Sequence, residues 1–184
     1  RQMVEEAREK VAALVNARPG QVIFTGGGTE ANNLAMLQAD FRGATVSSIE
    51  HESVLLPLDS GGRLPVRSDG VVELSSLPEK PSGLVSLMLA NNETGVVQPV
   101  KKLVKLCRES GIAVHTDAIQ AAGKINVDWQ DLGAQMMSLS AHKLGGPQGV
   151  GALIVDDTWE GRPLLKGGGQ ERGRRAGTEN IAGI

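Results

Sequence analysis

Tyrosine is absent from the sequence, and only two phenylalanines and two tryptophans occur in its 184 residues. An aromatic content of 2% leaves no stacking platforms for single-stranded nucleic acid. Cysteine is nearly absent too. Cys107 alone cannot build a disulfide framework, so nothing demands an oxidising compartment, and the expected location is the cytoplasm. Neither charge sign is in excess: 19 basic against 21 acidic side chains leave a net charge of −2, which argues against a nucleic-acid grip or a polybasic membrane patch. No apolar run approaches the ~20 residues of a membrane span, and no metal site is expected. What the chain has in quantity is glycine. Its 24 glycines in 184 residues are nearly twice the usual share of roughly 7%, and they are clustered. Clustered glycine marks sharp turns and places where backbone must approach something closely.

The chain begins at Arg1 inside a helical pattern without a methionine and stops at Ile184 in an apolar stretch, so it reads as part of a longer protein. Val4, Ala7, Val11, Leu14 and Val15 recur at three- and four-residue spacings, predicting an amphipathic helix from about Gln2 to Asn16. Val22 to Thr25 reads as a strand, Gly26-Gly27-Gly28 as a turn, and Thr29 to about Asp40 as a helix. Further strands are expected at Thr45 to Ile49, Leu84 to Ala90, Ile112 to Thr116, Met136 to Ser140 and Val150 to Val155. Pro99 opens an amphipathic helix to about Ser110. The segment Leu56 to Pro81, with turns at Asp59-Ser60-Gly61-Gly62 and Ser68-Asp69-Gly70, reads as an excursion carrying hairpins and no evident chemistry. Strands alternating with helices imply an α/β, three-layer domain with a mainly parallel central sheet. In such sheets ligands bind beyond the carboxyl ends of strands, and four polar clusters stand there: Gly26 to Asn32, Asn91-Asn92-Glu93, Asp117 to Gln120, and Ser140 to Lys143.

Each cluster has a chemical and a plain reading. Glycines at a strand-to-helix turn admit an anion to free helix amides, with Thr29 adding a hydroxyl; the alternative is a tight turn only. The run is neither a P-loop nor the dinucleotide fingerprint. Lys143, after a buried strand and before Gly145-Gly146, suits a confined, nucleophilic amine that forms a Schiff base; the alternative is a loop lysine beside a turn. Asp117, directly after an apolar strand, must be hydrogen-bonded, paired or at a site. A carboxylate at one strand end and a lysine at another is the pair pyridoxal 5′-phosphate requires: the lysine for its aldehyde, the carboxylate to keep its ring nitrogen protonated. His115 reads as a structural strand-end histidine, and Glu30 and Asn32 as supports of the first helical turn. Arg172, Arg174 and Arg175 read as a solvated loop.

Taken together and in order, the segments Phe24 to Asn33, Glu50-His51, Asn91 to Gly95, His115 to Gln120, Ser140 to Lys143 and Gly167 to Arg172 with Gly177-Thr178 resemble the cysteine desulfurase family of the class V aminotransferase group, over residues 22 to 184. The resemblance implies a fold type I pyridoxal-phosphate transferase large domain, truncated at both ends, with a small C-terminal domain and an N-terminal segment absent. It further implies that Lys143 forms the Schiff base and moves the substrate's α-proton. Asp117 would pair with the ring nitrogen, and Gln120 would bond the phenolic oxygen. His51, which otherwise caps the following helix, would stack on the ring and shuttle protons. Gly28, Thr29, Ser140 and His142 would hold the phosphate. Asn92, otherwise a turn residue, would lie near the substrate carboxylate. Thr178 would reach the phosphate of a partner subunit, making a homodimer part of the site.

The activity so implied is removal of sulfur from L-cysteine, giving L-alanine and an enzyme persulfide for sulfur-acceptor proteins in iron-sulfur cluster assembly or thiolation. Cys107 lies on the apolar face of a helix and reads as a buried thiol, not the family's nucleophile, so this chain alone is expected to be inactive. Two alternatives remain: a selenocysteine lyase or other class V aminotransferase, and a non-catalytic module for dimerisation or sulfur trafficking.

Overall fold

Along the strand β1 (Val22–Thr25), Val22 and Phe24 enter one apolar cluster and Ile23 the other. The same period-two division recurs in β6 (Met136–Ser140), where Met137 and Leu139 oppose Met136, and in β7 (Gly151–Val155), where Ala152 and Ile154 oppose Leu153 and Val155. Strands apolar on both faces require cover on both. In the computed structural model, which describes residues 2–58, 61–79, 81 and 83–184, that cover is helical and the domain has three layers. Helix α1 (Gln2–Leu14) and helix α4 (Val100–Glu109) supply Val4, Ala12, Leu103 and Val104 to one cluster; helix α2 (Gly28–Met36) supplies Ala31, Leu34 and Ala35 to the other.

The remaining strands are β2 (Ala44–Ser47), β3 (Gly61–Leu64), β4 (Leu84–Ser86) and β5 (Ala113–Asp117). The described residues form a seven-stranded sheet in the order β1-β7-β6-β5-β4-β2-β3. The run β3-β2-β4-β5-β6 is parallel throughout, whereas β7 is antiparallel to both β6 and β1. The expected mainly parallel α/β sheet is therefore present, with one reversal that periodicity does not reveal.

Local differences have local causes. The α-helical part of α2 stops at Met36 and continues as a tighter 3₁₀ stretch through Arg42. The strand expected at Leu84 to Ala90 leaves regular pairing after Ser86, although Leu87 and Leu89 still donate to the carbonyls of His115 and Asp117. The segment expected to be an excursion contributes β3 to the main sheet, and a hairpin does follow, with Val66 bridging Val72. Asp59 and Ser60, in the first of its predicted turns, lie outside the described residues. Two short helices, α3 (Glu52–Leu55) and α5 (Trp129–Leu132), were not legible in the periodicity. No helix among the described residues is long and apolar enough to cross a membrane.

Candidate active site

The carboxyl ends of β1, β2, β4, β5 and β6 open onto one cavity of about 830 Å³. Its walls include Gly28, Thr29, His51, Asn92, Asp117, Gln120, Ser140, His142 and Lys143. Thr178, exposed in the C-terminal loop, is not among the lining residues.

The glycine turn is shaped by close approach. A Cβ on Gly28 would stand 2.4 Å from Ile119 Cδ1 and 3.1 Å from Ser140 Cβ, so any larger residue would push into the loops that carry Asp117 and Lys143. At Gly151 a Cβ would meet the backbone of Gly27 at 2.4 Å. The free amides at the start of α2 thus sit directly beside the end of β6, in the field of the helix's positive end. Across this turn Ser140 Oγ lies 2.9 Å from His142 Nδ1. Glu30 supports the first helical turn as expected, accepting the Gly26 N–H at 2.7 Å.

Asp117 is 5% exposed, and its carboxylate has no lysine or arginine partner among the described residues. Burial pushes its pKa up, opposed by the Ile119 N–H at 2.9 Å and by the Asn32 side-chain amide at 2.7 Å. Asn32 therefore departs from its expected helix-supporting role: it is fully buried and reaches across to β5. The same amide nitrogen donates to Ser53 Oγ at 2.9 Å, and that hydroxyl lies 2.8 Å from His51 Nδ1. His51 also accepts the Ser53 backbone N–H at 3.1 Å, capping α3. The capping role and the cavity-facing role thus coexist in one side chain. His115 is structural, held between Ser86 Oγ at 2.8 Å and Ser138 Oγ at 2.9 Å, and burial pushes its pKa down to about 3.

Lys143 occupies the 3₁₀ turn Ala141–Lys143 that opens the β6–β7 connection. It lines the cavity with its side chain exposed, where the sequence suited a confined amine. Gln120 lines the cavity while its Oε1 accepts from Lys124 Nζ at 2.6 Å. The Asn91-Asn92 pair divides the two readings of that sequence. Asn91 Oδ1 accepts the N–H groups of Glu93 at 3.0 Å and Thr94 at 2.9 Å, making the turn, and Asn92 faces the cavity.

Glu50, next to His51, is a site feature that sequence reasoning left without a role. Its Oε1 accepts from Ser47 Oγ at 2.6 Å and from the Met88 N–H at 2.7 Å, and its Oε2 is buried without a partner. Burial raises its pKa from 4.5 to about 8, with Asp117 adding to the rise. The folded state therefore holds a proton that the unfolded chain releases, so Glu50's contribution to stability is complete below about pH 4.5 and is lost as pH climbs to about 8. Urea denaturation across that window should show wild-type stability falling by up to about 1.4 kcal/mol per pH unit from this group, and Glu50→Gln should flatten the slope. An unchanged slope in the variant would refute a protonated Glu50.

The glycine-rich segment after β7 is tied down through Glu171, Arg174 and Arg175, so of the three arginines expected in a solvated loop only Arg172 is exposed. Glu171, 5% exposed, takes both Arg8 guanidinium nitrogens at 2.7 and 2.8 Å and also accepts the Phe24 N–H at 2.8 Å. Arg8 lies over the Phe24 ring, 4.8 Å from its centroid. Arg175 pairs with Glu30 at 2.7 Å, joining this segment to the glycine turn, and Arg174 donates to the Gly20 carbonyl at 3.1 Å.

An α/β sheet whose strand ends gather an anion-holding turn, a buried carboxylate and a lysine defines a cofactor-dependent transferase type of domain. The chain belongs to the class-V aminotransferase family, whose model matches residues 1–184. It is 43% identical over 200 aligned residues to cysteine desulfurase IscS of Dictyoglomus turgidum, covering 100% of this chain and 51% of the relative. It is 45% identical over 193 residues to the mitochondrial cysteine desulfurase of Arabidopsis thaliana, covering 95% of this chain and 43% of the relative. Among solved structures, a NifS-like protein superposes with a TM-score of 0.90 at 36% identity, covering 99% of this chain and 55% of that one. SspA in complex with cysteine also superposes with a TM-score of 0.90, at 34% identity, covering 99% of this chain and 58% of that one. The chain spans about half the length of the curated relatives it matches. The fold class expected from the sequence is thus the fold of these NifS-like proteins.

Proposed function

We propose that this chain forms the cofactor-holding part of a pyridoxal-phosphate-dependent cysteine desulfurase. The observation that carries the reading is the convergence of Gly28, Asp117 and Lys143 on one cavity, in a chain whose relatives bear that name at 40–45% identity. The residues fit the cofactor. The start of α2, Ser140 and His142 would hold its phosphate. Asp117, buried without a lysine or arginine partner, suits a protonated ring nitrogen, and the exposed amine of Lys143 is accessible to an aldehyde. Bound there, the cofactor supplies an electron sink for the substrate's α-carbon.

The chain's own groups then divide the work. Asp117 would hold the proton on the ring nitrogen, with Ile119 and Asn32 donating to its carboxylate. Lys143 would move the substrate's α-proton, and His51, its Nδ1 committed to Ser53, would stack on the ring. Gln120, which here accepts from Lys124, would bond the phenolic oxygen, and Asn92 would orient the substrate carboxylate. The overall change is L-cysteine plus a thiol giving L-alanine plus a persulfide. Cys107 does not supply that thiol: it is fully buried in α4, and burial pushes its pKa up to about 11. We place the acceptor thiol outside these 184 residues, and assign Thr178 to the phosphate of a partner subunit in a homodimer.

The test is alanine production from L-cysteine by the full-length protein loaded with pyridoxal phosphate, with mass analysis of Cys107. Alanine formed with Cys107 unmodified is the expected result. Transamination without sulfur release, release from selenocysteine only, or a persulfide on Cys107 would overturn the reading.

A further inference from the structure

The cavity's acidic wall and its histidine wall are connected beneath the surface by a residue that does not line the cavity. Asn32, fully buried in α2, sends its side-chain nitrogen to Asp117 Oδ2 at 2.7 Å and to Ser53 Oγ at 2.9 Å. A primary amide has two N–H hydrogens, and each of these acceptors takes one. Its carbonyl oxygen Oδ1 is buried without a partner. The amide orientation follows from chemistry: turned over, its oxygen would face a carboxylate that offers only lone pairs. The hydrogen-bond order continues from there. The Ser53 hydroxyl accepts from Asn32 and so turns its own hydrogen toward His51 Nδ1, 2.8 Å away, which the Ser53 backbone N–H also approaches at 3.1 Å. Two donors converging on Nδ1 require a lone pair there, which leaves the ring's proton on Nε2.

We propose that Asn32 is a positioning residue that fixes, with the two hydrogens of one amide, both the Asp117 carboxylate and, through Ser53, the tautomer and orientation of the His51 ring. A half-satisfied buried amide is costly to retain, and what it secures here is the relative placement of two groups on different walls of the cavity. This use of the site rests on the cofactor reading above; the network itself does not.

The test therefore uses cofactor-free full-length protein, with carboxyl-carbon and imidazole-nitrogen NMR as readouts. Among the described residues His51 and Glu50 interact electrostatically with Asp117, and Glu30, His142 and Lys143 line the same cavity, so all are followed in the same titration. Asn32→Ala leaves Ile119 as the one donor to Asp117 among the described residues and should raise its titration midpoint by about one to two pH units, the size of one hydrogen bond to a charged group. Asn32→Asp keeps the shape but replaces donors with acceptors, and should raise the midpoint at least as far. Ser53→Ala should move the His51 nitrogen signals while leaving the Asp117 midpoint in place. Folded Asn32 variants with an unchanged Asp117 midpoint and an unchanged His51 spectrum would overturn the proposal. If the variants fail to fold, the wild-type spectrum decides: a proton on His51 Nδ1 refutes the network, and an unprotonated Nδ1 upholds it. A protein that binds no pyridoxal phosphate would sink the functional reading without altering any of these results.

Discussion

Lys143→Ala is expected to abolish covalent capture of pyridoxal phosphate and to lower desulfurase turnover of the full-length protein by at least ~10²–10⁴-fold, the range associated with loss of a positioned proton-transfer group. Lys143 stands on the short turn after β6 and shares one cavity of about 830 Å³ with Ser140, His142 and the start of α2, so a phosphate held by those groups would leave an attached aldehyde in the same space as the amine. Because the side chain is exposed and lines the cavity wall, its removal leaves no hole in either apolar cluster, and thermal stability should be unaffected. Borohydride reduction followed by peptide mass analysis reads the result directly. Wild-type protein should carry the reduced adduct on the peptide containing Lys143, and the variant should carry none. An adduct on Lys124 or Lys166 in the wild type, with Lys143 free, would refute the assignment. Lys143→Arg separates charge from chemistry, since it retains a cation near the phosphate but offers no amine that can condense with an aldehyde.

Glu171→Ala should cost about 3–5 kcal/mol of unfolding free energy, the size of effect seen when one partner of a buried ion pair is removed. Arg8 is 5% exposed and points its guanidinium at Glu171, at the Val22 carbonyl and over Phe24, so it cannot swing to water without leaving α1's packed face. Without Glu171 that buried charge keeps only the longer 3.3 Å carboxylate contacts, to the exposed Glu5, and the Phe24 N–H loses its acceptor. Urea denaturation measures the loss. Adding Arg8→Met should restore part of it, because the stranded charge is then gone and its volume is retained. If the single variant loses less than about 1 kcal/mol, the range of exposed pairs, the clamp is not a buried ion pair in solution.

The sequence disclosed what has a short-range cause. β-branched and apolar runs located the strands, the glycine excess located turns that must approach closely, and the rule that ligands gather at strand ends grouped Gly28, Asp117, Ser140 and Lys143, which line one cavity. What stayed hidden depends on partners far along the chain. Asn32 meets Asp117 85 positions away, and Glu171 meets Arg8 across 163, with no local pattern announcing either contact. Glu171 and Arg172 also adopt positive φ values of 48° and 59°, a conformation no side-chain preference of theirs foretells. The orientation of β7 was unreadable for a similar reason: a short apolar strand looks the same in either direction, and only its pairing with β6 and β1 fixes it.

That pairing has a consequence during synthesis. Among the described residues β1 pairs only with β7, so the strand leading into the glycine turn has no sheet partner until the stretch Gly151–Val155 has been made. At ribosomal rates of 5–20 residues per second the delay is on the order of ten seconds, a period in which Val22, Ile23 and Phe24 present an apolar, unpaired edge. Until β7 has emerged, nascent chains should therefore depend on chaperone cover of that edge.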